Sequence, residues 1–99
     1  MRVLFATAEL ERCFERYDSA VKQWGPDVGR KYIQRVKLLL AANTLADLAV
    51  PRSLHLHPLK GDRAGQHAIS LNDRWRLIFT YSKEDGTARI EEVTNHYDD

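Results

Sequence analysis

Trp75-Arg76-Leu77-Ile78-Phe79-Thr80-Tyr81 is the most regular stretch of this 99-residue chain. Trp75, Leu77, Phe79 and Tyr81 alternate with Arg76, Ile78 and Thr80, the period of two that sends successive side chains to opposite faces of a strand. With the aromatic residues turned toward a core, Arg76 stands on the open face of the sheet. The neighbouring segments repeat the pattern. His67 to Asn72 alternates with Ile69 and Leu71 on one face, and Asn72-Asp73 supplies turn chemistry. Glu84-Asp85-Gly86 reads as a hairpin turn, and Ala88 to Thr94 as the closing strand. Upstream, Leu54 and Leu56 alternate with His55 and His57 as far as Pro58. Lys60 to Gln66 is a polar loop with two glycines.

The first half follows a different period. Met1 to Ala6 is a short apolar strand. Thr7 caps a helix whose first turn carries Glu9 and Glu11 toward the positive end of its dipole. Leu10, Cys13, Phe14, Tyr17 and Val21 recur at helical spacing, and Gly25-Pro26 stops this helix and starts the next. Val28, Tyr32, Val36, Leu39 and Leu40 form the apolar face of the second helix, opposite Arg30, Lys31, Gln34, Arg35 and Lys37. Thr44 and Asp47 are spaced as a capping box for a short turn, Leu45 to Ala49, ended by Pro51. The expected architecture is α+β: two N-terminal helices packed on a twisted antiparallel sheet, one domain over residues 1–99.

Composition narrows the possibilities. Hydrophobic residues make up 43% and charged residues 29%, ordinary values for a globular domain. The longest apolar run, Leu38 to Ala42, is far short of the ~20 residues of a membrane span. Glu9 interrupts the N-terminal apolar patch too early for a signal peptide. The single cysteine, Cys13, excludes an internal disulfide and a paired-cysteine metal site. A cytoplasmic protein is expected. The net charge of +1 conceals a gradient. Residues 1–50 carry +2 and residues 51–82 carry +3 with three of the four histidines, whereas residues 83–99 carry −4. A local basic cluster attracts phosphate whatever the overall balance.

The basic middle carries the candidate chemistry. By the period of two, His55 and His57 share a face, Lys60 follows where the chain leaves the strand, and Arg76 stands on the open face. His96 and Tyr97 join them if the tail pairs nearby. Imidazole, ammonium, guanidinium and phenol without a carboxylate cluster suit metal-free cleavage of RNA. The attacking 2′-hydroxyl must lose a proton, the phosphorane needs fixed cations, and the leaving 5′-oxygen must gain a proton. No cofactor or metal is expected. His55-x-His57 lacks a third ligand of matching spacing, and Lys60-Gly61-Asp62-Arg63 lacks the context of a phosphate-binding P-loop. Arg63 and Arg74, in the same basic stretch, are candidate contacts for RNA.

Leu56-His57-Pro58-Leu59-Lys60-Gly61-Asp62-Arg63, Gly65-Gln66-His67 and Leu71-Asn72-Asp73-Arg74-Trp75-Arg76-Leu77 resemble the second half of HigB-type toxins, in the RelE/ParE superfamily of bacterial type II toxin–antitoxin systems. Leu45-Ala46-Asp47-Leu48 fits the same pattern, and the resemblance covers nearly the whole chain. It implies a microbial RNase fold, ribosome-dependent cleavage of mRNA with inhibition of translation, and neutralisation by a HigA-like helix-turn-helix antitoxin. Operator DNA would be bound only through that antitoxin. The resemblance assigns catalytic positions to His57, Lys60 and Arg76. HigB-type chains commonly close with Asp-Tyr-His, whereas this one reads Asn95-His96-Tyr97-Asp98-Asp99. Adjacent strand residues face opposite ways, so His96 and Tyr97 are alternatives for the terminal proton-transfer role. Two other functions share the fold: inhibition of DNA gyrase in the manner of ParE, and an inactive relic that only binds antitoxin.

Overall fold

The computed structural model describes residues 1–95. β1 (Arg2–Phe5) opens the chain, followed by α1 (Ala8–Glu15), α2 (Tyr17–Trp24) and α3 (Pro26–Ala41). After two short 3-10 turns come β2 (His57–Pro58), a third such turn at Gly61–Arg63, β3 (Gln66–Ser70), β4 (Arg76–Ser82) and β5 (Thr87–Thr94). The strands form one sheet in the order β1-β5-β4-β3-β2. The expected α+β arrangement holds and differs in two details. β2–β3, β3–β4 and β4–β5 are antiparallel, but β1 lies parallel to β5, so the sheet is mixed. Placing β1 at the edge beside β5 packs Val3 and Phe5 against the same core that takes Ala88 and Ile90. A short strand's sequence fixes its face and not its partner.

The other difference lies in the helices. The stripe from Leu10 to Val21 belongs to two helices, because Arg16 is extended at φ −132° and ψ 112°. The break leaves Leu10 and Cys13 buried on α1 and Ala20 buried on α2, while Tyr17 at the junction is exposed. The caps follow the sequence. The Thr7 hydroxyl accepts from the Leu10 N–H at 3.1 Å. Gly25 ends α2 at φ 87°, a left-handed conformation that glycine adopts without strain, and Pro26 begins α3. Asp47 Oδ2 accepts from the backbone N–H groups of Asn43 at 2.8 Å and Thr44 at 3.2 Å.

The helices cover one face of the sheet. Tyr32, Val36 and Leu39 of α3 are fully buried with Ile69, Leu77, Phe79 and Ile90 of the strands. The Tyr32 hydroxyl donates to the Leu10 carbonyl at 2.7 Å, joining α3 to α1, and burial pushes the Tyr32 phenol well above its ordinary range. Cys13 is a core thiol, its pKa raised by burial and by Glu9. On the opposite face, Leu59, Ala68 and Ile78 make a second, small apolar cluster. Ile78 therefore points away from the helices, as the alternation requires, and Arg76 and Thr80 share its face. No helix among the described residues is long and apolar enough to cross a membrane.

Candidate active site

Strand register assembles the open face. His57 pairs with Ala68, Ala68 with Ile78, and Ile78 with Glu92. Residues in register share a face, so one row crosses the sheet from His57 to Glu92. Arg76 lies two residues from Ile78, between Ser70 and Thr94. With strands ~4.8 Å apart and a rise of ~3.4 Å per residue, the Cα atoms of His57 and Arg76 are roughly 12 Å apart, a gap that two long side chains and a phosphate fill. Lys60 lies on the other side of His57, exposed just before the Gly61–Arg63 turn. His57 is thus flanked along the sheet by Arg76 at one end and Lys60 at the other.

His57 Nδ1 lies 2.7 Å from the His55 carbonyl oxygen. A carbonyl only accepts, so Nδ1 carries the proton and Nε2 is the basic nitrogen of the neutral ring. Arg76 is anchored by its own turn: Nη1 donates to the carbonyls of Asn72 at 2.7 Å and Trp75 at 3.0 Å. The same turn is held by Asn72 Oδ1, which accepts from the N–H groups of Arg74 at 2.9 Å and Trp75 at 2.8 Å. Asn72-Asp73 therefore does more than reverse the chain, because it fixes the position of Arg76.

The structure separates other residues that the sequence placed together. His55 is not on a strand. It ends the Arg52–Leu54 turn in a left-handed conformation at φ 49°, so the expected alternation from Leu54 to His57 fails and His55 does not share a face with His57. Arg74 sits on the turn rather than the sheet and lines a groove with Asp27 and Lys31. Arg63 does reach the open face, where its Nη2 lies 3.5 Å from Glu92 Oε1. His67 turns to the helix side and stacks on Phe79 with ring centroids 5.7 Å apart. Burial first, and His57 second, hold the His67 pKa below the ordinary histidine value. The roles expected of His96 and Tyr97 lie outside the described residues.

Sequence reasoning missed the two carboxylates of the open face. Glu91 Oε2 accepts from the Thr80 hydroxyl at 3.0 Å and Glu91 also pairs with Arg89, while Glu92 meets Arg63. Consecutive residues can both serve one face because the β4–β5 register shifts between Ile78 and Phe79. The signal was present: polar and apolar residues alternate from Thr87 to Ile90, then slip by one at Glu91-Glu92. Among the described residues, no group of three or more His, Cys, Asp or Glu is placed to hold a metal ion.

Comparison with known proteins places the chain in a family. The fold is similar to a YoeB/ParE toxin from Agrobacterium tumefaciens, with a TM-score of 0.63 and 15% identity over 98% of this chain and all of that one. It is similar to YafQ in the DinJ–YafQ complex of E. coli, at 0.64 and 18% over 94% of this chain and 91% of that one. It is also similar to a chain of the heterotetrameric YoeB–YefM toxin–antitoxin complex of Staphylococcus aureus, at 0.60 and 21% over 98% of both chains. A search of curated proteins found no sequence match. The family model of the HigB-like toxins, RelE-like toxins of type II toxin–antitoxin systems, matches residues 3–98, and the chain belongs to that family.

Proposed function

We propose that this toxin is a ribosome-dependent endoribonuclease that cleaves mRNA without a metal ion and so inhibits translation. The observation that carries the reading is the placement of His57 and Arg76 on the open face, with Lys60 in the loop that leaves β2 beyond His57. In the proposed reaction, His57 Nε2 takes the proton of the 2′-hydroxyl as that oxygen attacks phosphorus. Arg76 and Lys60 stabilise the charge that develops on the non-bridging oxygens. The bond from phosphorus to the 5′-oxygen breaks, and the leaving oxygen is protonated by His96 or Tyr97. The products are a 2′,3′-cyclic phosphate and a 5′-hydroxyl end. Arg63 and Arg74 contact backbone phosphates on either side of the reacting centre.

The partner follows by analogy with the complexes to which the fold is similar, YafQ with DinJ and YoeB with YefM. An antitoxin, HigA-like with a helix-turn-helix domain, would neutralise this chain, and operator DNA would be reached through that antitoxin alone. The protein acts in the cytoplasm, where mRNA and ribosomes are found. Induction in growing cells followed by mapping of transcript 5′ ends tests the reading. New ends within translated codons are expected. Growth arrest with intact transcripts overturns it, and DNA damage signalling in their place would favour gyrase inhibition.

A further inference from the structure

α3 and the turn that anchors Arg76 enclose a cleft of about 310 Å³, of whose lining the reaction above uses Arg76 alone. Lys31 and Arg35 of α3 line it together with Ser53, His55, Asp73 and Arg76. Three permanent cations and an imidazole there face one carboxylate. A more open depression shares Lys31 and Asp73 with the cleft and adds Arg74, so the basic surface continues outward along the turn.

The two cations of α3 keep donors available for a ligand. Arg35 Nε donates to the Ser70 carbonyl at 3.0 Å, which fixes the guanidinium. Its two Nη groups make no hydrogen bond or ion pair among the described residues. Lys31 has only a loose pair with Asp27 at 3.6 Å, and Asp27 also accepts from Arg30 and Asn72. His55 reaches the cleft wall through its left-handed backbone, a conformation uncommon outside glycine. The volume lies at the small end of ligand pockets, ~300 Å³, and suits a nucleotide-sized unit better than a helix or strand. Lysine and a planar guanidinium are the usual donors to phosphate.

Arg76 belongs both to this cleft and to the open face beside His57. An RNA strand reacting on the open face therefore has a basic continuation at hand. We infer that the cleft is a subsite for the phosphodiester neighbouring the scissile one, gripped by Lys31 and Arg35 with His55 at its wall. This subsite rests on the ribonuclease reading and assigns α3 a direct part in holding the substrate.

The test separates binding from cleavage by using a short 2′-O-methyl RNA, in which the attacking hydroxyl is blocked, as a fluorescence anisotropy probe. Lys31→Gln is expected to weaken binding about tenfold, the scale of one charged hydrogen bond. It should also lower the slope of log affinity against log salt by about 0.7, the share of one phosphate on a single strand. Methylphosphonate substitution then neutralises the backbone one linkage at a time. One linkage should weaken the wild type and leave Lys31→Gln unaffected, the signature of a direct pair. Arg35→Gln should repeat the loss and Arg35→Lys recover part of it. If Arg35→Gln does not fold, Lys31→Gln decides.

Failure of the wild type to bind the probe at low salt overturns the subsite. So does an unchanged affinity and slope in Lys31→Gln, or equal sensitivity of both proteins to every linkage. Cleavage of mRNA on programmed ribosomes, measured in parallel, keeps the two claims apart. Lys31-dependent binding without cleavage defeats the ribonuclease reading alone, and cleavage with Lys31-independent binding defeats the subsite alone.

Discussion

Arg63 reaches from the loop after β2 across the open face to Glu92 on β5, with 3.5 Å between Nη2 and Oε1. The pair bridges the strip where Ile78 lies between the two strands, in the same row as His57. Both side chains are partly solvated, at 29% and 42% exposure, so the pair contributes no more than ~1 kcal/mol. Its larger effect is electrostatic, because Glu92 occupies a cation that RNA needs and adds a negative charge beside the proposed reaction centre.

Glu92→Gln should therefore strengthen binding of a short uncleavable RNA about fivefold, the equivalent of ~1 kcal/mol. The thermal midpoint should barely move. Anisotropy titrations at low salt measure the change, and equal or weaker binding would contradict it.

Gly29 of α3 packs tightly against α2. A Cβ at this position would lie 3.1 Å from both the carbonyl carbon and the Cβ of Ala20. Alanine improves helix propensity by ~1 kcal/mol, but the opposing atoms include backbone that can yield only by moving the helix. Overpacking of this kind costs ~1–3 kcal/mol. Gly29→Ala should lower the thermal midpoint by several degrees, and a rise would show that α2 is free to shift.

His67 gives stability a pH dependence of known sign. Its pKa is lowered from 6.5 in the folded protein, chiefly by burial and then by His57. Below 6.5 the unfolded chain binds a proton that the folded protein resists, so stability falls with pH until the folded pKa is passed. His67→Phe, which keeps a ring against Phe79, should flatten this acid-side loss in denaturant titrations across a pH series. Parallel profiles for the two proteins would contradict it.

Much of this architecture was legible in the sequence because single residues carry strong local signals. The alternation from Trp75 to Tyr81 correctly assigned Arg76 to the open face, since burying aromatic residues on one side leaves no other choice. Gly25-Pro26, Thr7 and Asp47 mark element ends through backbone chemistry that is local. The break at Arg16 was hidden because the apolar stripe runs through it without interruption. Both short helices pack on α3, a tertiary arrangement that a local periodicity does not encode. The parallel pairing of β1 was hidden for a similar reason, since its partner lies more than eighty residues away in sequence.

The site was legible in residue type and less so in placement. The alternation put His57 and Arg76 on the open face, and the register keeps both there, with Lys60 in the loop that follows β2. His55 was assigned to the wrong face because the period of two assumes a strand, and its backbone is left-handed. Lys31 and Arg35 looked like the wet side of an ordinary amphipathic helix. Only the turn from Leu71 to Trp75, packed beside α3, makes a cleft of them.

Ribonuclease activity at His57 is measured by cleavage of a defined mRNA on programmed ribosomes, with purified wild-type toxin and His57→Gln compared at equal concentration. His57 is only half-buried and lies outside the main core, so the variant should fold with nearly the same thermal midpoint. The wild type should cut and leave 5′-hydroxyl ends, and the rate should fall by ~10²–10⁴ in His57→Gln, the scale of losing a general base. Cleavage by His57→Gln at the wild-type rate, or no cleavage by either protein, would contradict it.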